Sequence, residues 1–193
     1  MGRALERRRF EFLPAMTDAR RVLVLGEGDG RFLAALLGVN DRARIDVVDN
    51  SGKMLALAER RARADGNRVC FHRADARSWV PPVNAHYDLI VTHFFLDCFG
   101  DDDLGPMVRR FAEAASRTCR WVVSEFHQPE QGFPAWRARL WIGALYRLFG
   151  WATGLSMRRI PDYGRPLTEN GFRRKKLIVR ELGLLVSELW ERP

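Results

Sequence analysis

An apolar run that breaks into three closely spaced glycines limits most strongly what this chain can fold into. Residues 22–32 read VLVLGEGDGRF, with glycine at positions 26, 28 and 30. Four apolar residues before such a loop predict a buried strand of a parallel sheet, and the apolar spacing after it predicts a helix. Glycines let the backbone approach a ligand closely because they carry no Cβ atom. The stretch therefore predicts a ligand-binding loop between a strand and a helix.

Strand and helix patterns alternate along most of the chain. Short apolar runs predict strands at 22–25, 45–48, 69–72, 88–92 and 121–126, and helical spacing predicts helices at 30–38, 52–65 and 104–116. Such alternation is typical of βαβ units around a parallel sheet. Two late apolar runs, 174–180 and 184–190, predict a terminal β-hairpin. We expect one α/β domain over residues 1–193, with one open, doubly wound sheet.

Two segments lie outside this alternation. Residues 1–19 are predicted to form a lead-in helix, and residues 128–166 an inserted segment with an apolar helical stretch. Helical spacing within the insert relates Trp136, Leu140, Trp141, Ala144, Leu145 and Leu148, with Phe149 and Trp151 close behind. A helix that packs on the sheet explains one face of this pattern. The remaining aromatics favour a lid or an apolar acceptor pocket, which Arg158, Arg159 and Tyr163 would supply with polar contacts.

Two acidic residues inside the glycine loop indicate which ligand it favours. A dinucleotide fingerprint needs a third glycine where this chain has Arg31. Glu27 and Asp29 would also repel a pyrophosphate, by about 1 kcal/mol or more at close range. The loop therefore favours a ligand without phosphate that carries an ammonium and a sulfonium. A nicotinamide-dependent oxidoreductase is disfavoured further because no Tyr-x-x-x-Lys pair exists in the sequence.

Acidic residues also follow the second and third predicted strands. Asp49 lies 19 residues after Gly30 and is placed to accept hydrogen bonds from both hydroxyls of a ribose, or else to cap the helix that follows. Asp75 is placed to accept from an adenine amino group, with the backbone of Ala76 at a ring nitrogen, or else it is a turn residue. The carboxyl ends of parallel strands meet at one edge, so these loops and residues 92–97 converge on one crevice.

Four motifs, VLVLGEGDGRF, VVDNSGKML, RADA and YDLIVTHFFLD, occur in an order and spacing that resembles the class I S-adenosylmethionine-dependent methyltransferases. The resemblance covers residues 20–126 and continues weakly through LTENGF at 167–172 and the hairpin. It implies a Rossmann-like, mainly parallel seven-stranded sheet with an antiparallel last strand, and S-adenosylmethionine as cofactor. The cofactor contacts that it implies are Gly26, Glu27, Gly28, Asp29, Gly30, Asp49, Asn50, Met54, Asp75, Ala76, Thr92 and His93.

The sequence departs from the family pattern at two places. The family often has an acid two positions before the first glycine, and this chain has Val24 there. Asp29 and the carbonyl of Gly26 are the candidates to hold the cofactor's ammonium instead. The segment THFF at 92–95 differs from the Asn/Asp-Pro-Pro-Tyr/Phe pattern of enzymes that methylate exocyclic base amines. This difference lowers the case for a nucleic-acid acceptor.

The catalytic candidates follow the fourth and fifth strands. Methyl transfer needs a general base only when the acceptor is an unactivated hydroxyl or an acidic carbon. His93 is the leading candidate for that base, and Asp97 is placed to orient its ring if a helical turn begins there. The alternative is that His93 only lines the pocket. His127 is a second candidate at the same edge of the sheet.

Composition bounds the partners and the compartment. A formal net charge of +8 fits either a solvated basic surface or contact with nucleic acid. Three distant cysteines without CxxC spacing favour neither disulfides nor a metal site, and together with the lack of a signal-like or membrane-spanning stretch they predict a cytoplasmic protein. We expect a methyltransferase with a small, partly apolar acceptor. An RNA or protein methyltransferase, or a non-catalytic cofactor-binding relative, remains an alternative.

Overall fold

A seven-stranded sheet forms the centre of the computed structural model, which describes residues 2–127 and 161–193. The strands are β1 (Arg21–Leu25), β2 (Arg44–Asp49), β3 (Val69–Arg73), β4 (Tyr87–His93), β5 (Ala115–Phe126), β6 (Arg173–Arg180) and β7 (Leu185–Glu191). Their order across the sheet is β3-β2-β1-β4-β5-β7-β6. Strands β1 to β5 pair in parallel, and β7 is antiparallel to both β5 and β6. The predicted Rossmann-like sheet with an antiparallel end is therefore confirmed.

Helices pack on both faces of this sheet. They are α1 (Gly2–Arg9), α2 (Arg31–Val39), α3 (Gly52–Arg61), α4 (Asp101–Glu113) and α5 (Gly164–Glu169). Helix α3 begins where Ser51 accepts a hydrogen bond from the backbone N–H of Met54, as an N-cap does. Short 3₁₀ turns cover Leu13–Met16, Arg63–Arg68, Leu96–Cys98 and Glu181–Gly183. No helix within the described ranges combines the length and apolar character needed to cross a membrane.

Each face of the sheet has its own apolar core, because successive strand residues point to opposite sides. On the face covered by α2, which we call the α2 face, Val22 and Val24 pack with Phe32. On the opposite face, the α4 face, Leu23 packs in one cluster with Phe111. Burial of each such side chain contributes about 1.5–3 kcal/mol. The two cores fix the strands rigidly and so position the loops at their carboxyl ends.

Three element boundaries differ from the sequence prediction. Helix α1 ends at Arg9 instead of extending through the predicted segment 1–19, and a 3₁₀ turn that contains Pro14 follows. Helix α4 begins three residues early at Asp101, because three aspartates favour a helix N-terminus. Strand β5 begins at Ala115, six residues before the predicted start, because its first residues pair with the start of β4. Residues 128–160 of the predicted insert lie outside the described residues.

Candidate cofactor site

A cavity of about 510 Å³ opens at the carboxyl ends of β1, β2, β3 and β4. Its position is the topological switch point between β1 and β4, where doubly wound sheets bind ligands. The lining residues are Gly26, Val48, Asp49, Asn50, Ser51, Ala74, Asp75, Ala76, Arg77, Phe94, Phe95, Cys98 and Phe99. Five of the predicted cofactor residues are among them, namely Gly26, Asp49, Asn50, Asp75 and Ala76. The aromatic wall from Phe94 to Phe99 was not assigned from the sequence.

The glycine loop adopts a conformation that side chains at two positions would prevent. Gly30 has φ of +86°, and a Cβ atom there would collide with the backbone of Ala58 in α3. Gly26 has φ of +68°, and its missing Cβ leaves room for the ring of Phe95. Both positions combine left-handed backbone with close approach, which only glycine tolerates without strain. The loop therefore brings β1, α3 and the aromatic wall into contact around the cavity.

Asp49 joins the end of β2 to the glycine loop. Its Oδ2 accepts a hydrogen bond from the backbone N–H of Gly28 at 3.2 Å, and its Oδ1 accepts from the N–H of Ser51 at 2.8 Å. Asp49 thus stabilises the turn that precedes α3 but does not cap the helix, because Ser51 is its N-cap. Asp49 is only half-buried and lines the cavity, so the carboxylate is also accessible to a ligand.

Asp75 lines the same cavity but is already paired. Arg77 donates to it from Nη2 at 2.6 Å and from Nε at 3.0 Å. These hydrogen bonds and the charge of Arg77 lower the pKa of Asp75, although partial burial opposes them. The carboxylate is therefore ionised and fixed in orientation at the wall of the cavity.

The two acids of the glycine loop have different environments. Glu27 is 3% exposed, and its Oε1 accepts a hydrogen bond from the backbone N–H of Leu33 at 3.0 Å. Burial raises the pKa of Glu27 to about 7, while the Leu33 N–H and the charge of Arg9 partly oppose the rise. Asp29 instead forms exposed ion pairs with Arg31 at 2.9 Å and Arg61 at 3.2 Å. Since those arginines neutralise it, Asp29 is a poorer candidate for a cofactor ammonium than the sequence suggested.

His93 and Asp97 are not in contact, which corrects the predicted hydrogen bond between them. His93 extends from β4 on the α2 face, where its ring lies 4.6 Å from that of Phe32, centroid to centroid. Both ring nitrogens lack a hydrogen-bond partner among the described residues. Asp97 lies in the turn after β4 and interacts with Glu125 on the α4 face. The alternation of β4 explains the separation, because no helical turn continues from His93.

Burial lowers the pKa of His93 to about 3, and the nearby positive charge of Arg9 adds to this effect. The ring is therefore neutral at physiological pH. A neutral imidazole with so low a proton affinity accepts a proton poorly, so this environment weakens the case for His93 as general base. His127, the second candidate, is exposed just beyond the end of β5, where its N–H donates to the carbonyl of Leu184.

A buried carboxyl pair on the α4 face was not predicted from the sequence. Glu125 is fully buried in β5, and its Oε1 accepts from the backbone N–H groups of Phe95 at 3.1 Å and Leu96 at 2.8 Å. Burial raises the pKa of Glu125 and of its partner Asp97, and the charge of Asp97 raises that of Glu125 further. The second oxygen of Glu125, Oε2, has no hydrogen-bond partner among the described residues. An acid inside the apolar run WVVSEF was the available signal in the sequence.

Phe94 connects the first cavity with a second one. It has φ of +54°, an uncommon and strained conformation for a bulky residue. Its ring lies 5.1 Å from that of Phe126, which lines a cavity of about 220 Å³ at the end of β5. Apolar side chains and a few polar groups form this second cavity, including Val186, Trp190, Tyr163, Arg174 and Glu188. The aromatic pair thus separates two adjoining cavities.

The other seven predicted cofactor residues do not line the cavity, namely Glu27, Gly28, Asp29, Gly30, Met54, Thr92 and His93. The Thr92 hydroxyl is buried on the α4 face and accepts a hydrogen bond from Trp121 Nε1 at 3.1 Å. Met54 lies in the first turn of α3 and does not line the cavity. Their side chains therefore reach the cavity only if the site rearranges. Val24, where the family often has an acid, is 1% exposed in the core of the α2 face.

One group of side chains suited to metal binding lies away from both cavities. Asp46, Cys70 and His72 lie on the neighbouring strands β2 and β3, with their ligand-type atoms within 4.8 Å of one another. His72 Nε2 is 2.7 Å from Asp46 Oδ1, and the hydroxyl of Tyr87 donates to Asp46 Oδ2 at 2.9 Å. The hydrogen bonds of this cluster are those of a structural network between strands.

Comparison with known proteins gives a consistent result. Residues 22–117 match the family model described as a methyltransferase domain. Among curated proteins, a trans-aconitate 2-methyltransferase of Streptomyces avermitilis is 41% identical over 78 residues, which are 39% of this chain and 28% of the relative. A polyamine aminopropyltransferase of Bacillus anthracis is 32% identical over 85 residues, or 40% of this chain and 24% of the relative. The chain thus spans about a quarter of the length of these relatives.

A solved structure supports the fold over nearly the whole chain. The N-methyltransferase NodS from Bradyrhizobium japonicum, in complex with S-adenosylhomocysteine, has a TM-score of 0.71 at 15% identity. The match covers 98% of this chain and 88% of NodS. At this identity the likeness establishes the fold alone.

The cavity suits the cofactor that the family uses. Its volume is adequate for a nucleoside, and Asp49 is accessible at the end of β2. Next to Gly26 of the lining, but not itself in it, Glu27 has a buried oxygen without a hydrogen-bond partner among the described residues. A nucleoside that carries a cationic amino-acid group satisfies these features, whereas a pyrophosphate does not. Together, the sheet order, the cavity and the family match identify the chain as a member of the class I S-adenosylmethionine-dependent methyltransferases, with S-adenosylmethionine as its cofactor.

Proposed function

We propose that the protein transfers a methyl group from S-adenosylmethionine to a small, partly apolar acceptor by in-line displacement. The observation that carries this proposal is the pair of adjoining cavities separated by Phe94 and Phe126. The bound cofactor supplies the activated methyl group, so the chain mainly positions the two reactants and excludes water. The relative that methylates trans-aconitate, itself a small molecule by name, supports an acceptor of this size.

The adenosine part of the cofactor is assigned to the residues that line the larger cavity. Asp49 is proposed to accept from the ribose hydroxyls, since its carboxylate is accessible and already oriented by two backbone N–H groups. Asp75 and the backbone of Ala76 are proposed at the adenine edge. Phe95 and Phe99, whose rings lie 5.0 Å apart, provide an apolar wall for the base.

The acceptor is assigned to the smaller cavity at the end of β5. Its volume of about 220 Å³ suits a small molecule, and Val186, Trp190 and Phe126 give it apolar walls. Glu188 and Arg174 form an ion pair at 2.9 Å along this cavity, which suits an acceptor with a polar group. Since His93 is a weak base in its present environment, we propose that His127, which lines this cavity, accepts the proton where the acceptor atom carries one.

The basic surface gives less support to an RNA or protein acceptor. The most basic strand, β6, forms an edge of the sheet. Three of its basic residues pair with Glu188, Glu191 and Glu11, which reduces the charge available to phosphates. Absence of nucleic-acid binding at low salt would exclude an RNA acceptor, because phosphate contacts are strongest there.

The test combines cofactor binding with product detection. We expect S-adenosylmethionine to bind the purified protein in calorimetry and Asp49→Ala to weaken that binding at least about tenfold, since a charged hydrogen bond to a ribose is lost. Asp29→Asn, with its exposed ion pairs, serves as the matched control. A mass-spectrometric screen of small molecules then looks for a methylated product. Cofactor binding with no product from any small molecule would point to a non-catalytic relative, and a folded protein that binds no cofactor would overturn the proposal.

A further inference from the structure

The C-terminal end of α1 lies against the glycine loop. A Cβ atom built on Gly28 would lie 3.9 Å from Nη1 of Arg9, the last residue of the helix. The guanidinium carbon of Arg9 is 5.9 Å from the centre of the Phe94 ring at the end of β4. The hydroxyls of Ser124 and Ser187 donate to the carbonyl of Arg8 at 3.2 Å each, which anchors this end of the helix to the sheet. Arg9 is therefore held over the loop that follows β1.

Polar atoms without partners cluster at this point. Nε of Arg9, Oε2 of Glu27 and both ring nitrogens of His93 are buried and form no hydrogen bond with the described residues. Within residues 2–127 and 161–193, the Arg9 side chain also makes no ion pair. Buried polar groups in native proteins are nearly always satisfied, so several orphaned groups in one place indicate a missing polar ligand.

The positions of the two charges match an α-amino-acid group. Arg9 offers a planar set of donors for a carboxylate, and the free oxygen of Glu27 offers an acceptor for an ammonium. Glu27 cannot turn toward Arg9 freely, because its other oxygen caps the first turn of α2 through the N–H of Leu33. The pair is close enough to interact electrostatically without forming a direct bond within the described structure.

We propose that Arg9 and Glu27 bind the amino-acid end of S-adenosylmethionine, with Arg9 at the carboxylate and Glu27 at the ammonium. Glu27 thereby replaces the acid that the family often has where this chain has Val24. Arg9 lies outside residues 22–117, the segment that matches the family model, so this contact is an addition of the chain's own lead-in helix. Helix α1 is then part of the cofactor site and selects cofactors that retain the carboxylate.

This inference rests on the proposed function, because it assumes that S-adenosylmethionine is the cofactor. Binding of three ligands tests the inference separately from the proposed function. S-adenosylhomocysteine carries both charged groups, decarboxylated S-adenosylmethionine carries the ammonium without the carboxylate, and methylthioadenosine carries neither. Binding of each is measured by calorimetry with the wild type, Arg9→Gln and Glu27→Gln. Arg7→Gln, on an exposed position of the same helix, and Glu59→Gln, at an exposed acid of α3, are the matched controls.

We expect Arg9→Gln to weaken the binding of S-adenosylhomocysteine about 10- to 100-fold and to leave the affinities for the other two ligands unchanged. Glu27→Gln should weaken the binding of both ligands that carry the ammonium by a similar factor and leave the affinity for methylthioadenosine unchanged. The controls should bind all three like the wild type. Methylthioadenosine thus reports whether each variant keeps an intact adenosine site.

A second readout follows the proton on Glu27. Near pH 7 the carboxyl is partly protonated in the free protein, and an ammonium must bind the carboxylate form. Calorimetry in buffers of different ionisation enthalpy should therefore detect proton release with S-adenosylhomocysteine, none with methylthioadenosine, and none with Glu27→Gln.

Several results would overturn the inference. If both substitutions weaken the binding of methylthioadenosine as much as that of S-adenosylhomocysteine, Arg9 and Glu27 are structural and do not bind the amino-acid group. The same conclusion follows if neither substitution weakens the binding of either ligand. If the wild type binds methylthioadenosine and S-adenosylhomocysteine equally well, the inference fails while the adenosine site stands. If the folded wild type binds none of the three ligands, the proposed function fails together with it.

Discussion

Two buried acidic centres lie on opposite faces of the sheet, beside the end of β4, and they differ in the charge beside each. On the α4 face, Glu125 lies beside a second buried acid, Asp97, and its Oε1 accepts two backbone N–H groups. On the α2 face, Glu27 caps α2 with one oxygen and leaves the other without a partner among the described residues. Burial raises the pKa of the acids in both places. Each acid also keeps one oxygen without a partner among the described residues, so neither a raised pKa nor an unfilled hydrogen-bond position distinguishes a structural acid from a binding acid. The neighbouring charge does: Glu27 has the cation of Arg9 nearby, whereas Glu125 has a second acid, Asp97.

The largest change in the free energy of unfolding is expected on the α4 face. Glu125→Ala removes the acceptor of two buried N–H groups and leaves Asp97 buried without its partner, so we expect a loss of about 4 kcal/mol in the free energy of unfolding. Urea denaturation measures it. Glu125→Gln, which keeps an acceptor for the N–H groups and a donor for Asp97, should cost less than about 1.5 kcal/mol. A loss below about 1.5 kcal/mol in Glu125→Ala as well would show that this buried acid does not stabilise the turn after β4.

A smaller and pH-dependent effect is expected at Glu27. Its pKa is raised from 4.5 to about 7 in the folded protein, so the stabilisation from its protonated form is complete below pH 4.5 and is lost as the pH rises through 7. At about 1.4 kcal/mol for each tenfold change in proton affinity, the loss is roughly 3 kcal/mol. Glu27→Gln should not show this pH-dependent loss of stability, because its side chain does not ionise.

Unfolding free energies of the wild type and Glu27→Gln, measured across this pH range without cofactor, should therefore diverge as the pH rises. The variant should gain relative stability in alkaline solution while it binds the cofactor less well. Such a result would mark Glu27 as an acid retained for binding at the expense of stability. Parallel curves for the two proteins would show that burial of Glu27 does not destabilise its ionised form, against this expectation.

The smallest effect is expected at Asp29, two residues from Glu27 in the same loop. Its ion pairs with Arg31 and Arg61 are partly exposed, and such pairs contribute at most about 1 kcal/mol. Asp29→Asn should change the free energy of unfolding by less than this, and the difference should shrink at high salt. Chemical denaturation at two salt concentrations measures it. A loss of several kcal/mol that is insensitive to salt would mean that Asp29, like Glu125, is a structural acid.

The strands and the edge that holds the site were predictable because they depend on local patterns. Apolar runs of four or five residues with glycine or aspartate at their ends located β1 to β4 to within two residues. The order of the motifs was enough to place Asp49 and Asp75 at one cavity, because parallel strands bring their carboxyl ends to a common edge. The start of β5 was misjudged since its first residues, including Arg117 and Arg120, are not apolar and are held by pairing with β4.

The partners of individual side chains could not be predicted in the same way. Asp97 was assigned to His93 because four residues separate them, a spacing that brings side chains together only in a helix. The chain instead leaves the strand at Phe94 with a positive φ, and Asp97 turns to Glu125, 28 positions further along the sequence. Likewise, nothing in the spacing of Arg9 and Glu27 indicated that the lead-in helix ends over the glycine loop.

The sequence by itself determined the alternation of strands and helices, the glycine loop and the chemical preference of that loop for a cation without phosphate, since each depends on residues close together in the chain. Only the tertiary structure decided which acid is free to bind. Glu27 and Asp29 are similar carboxylates two residues apart, yet packing buries one against α2 and exposes the other to two arginines. Burial and the number of available donors are properties of the assembled fold, and they decide whether a carboxylate is neutralised from within the protein or is left for a ligand.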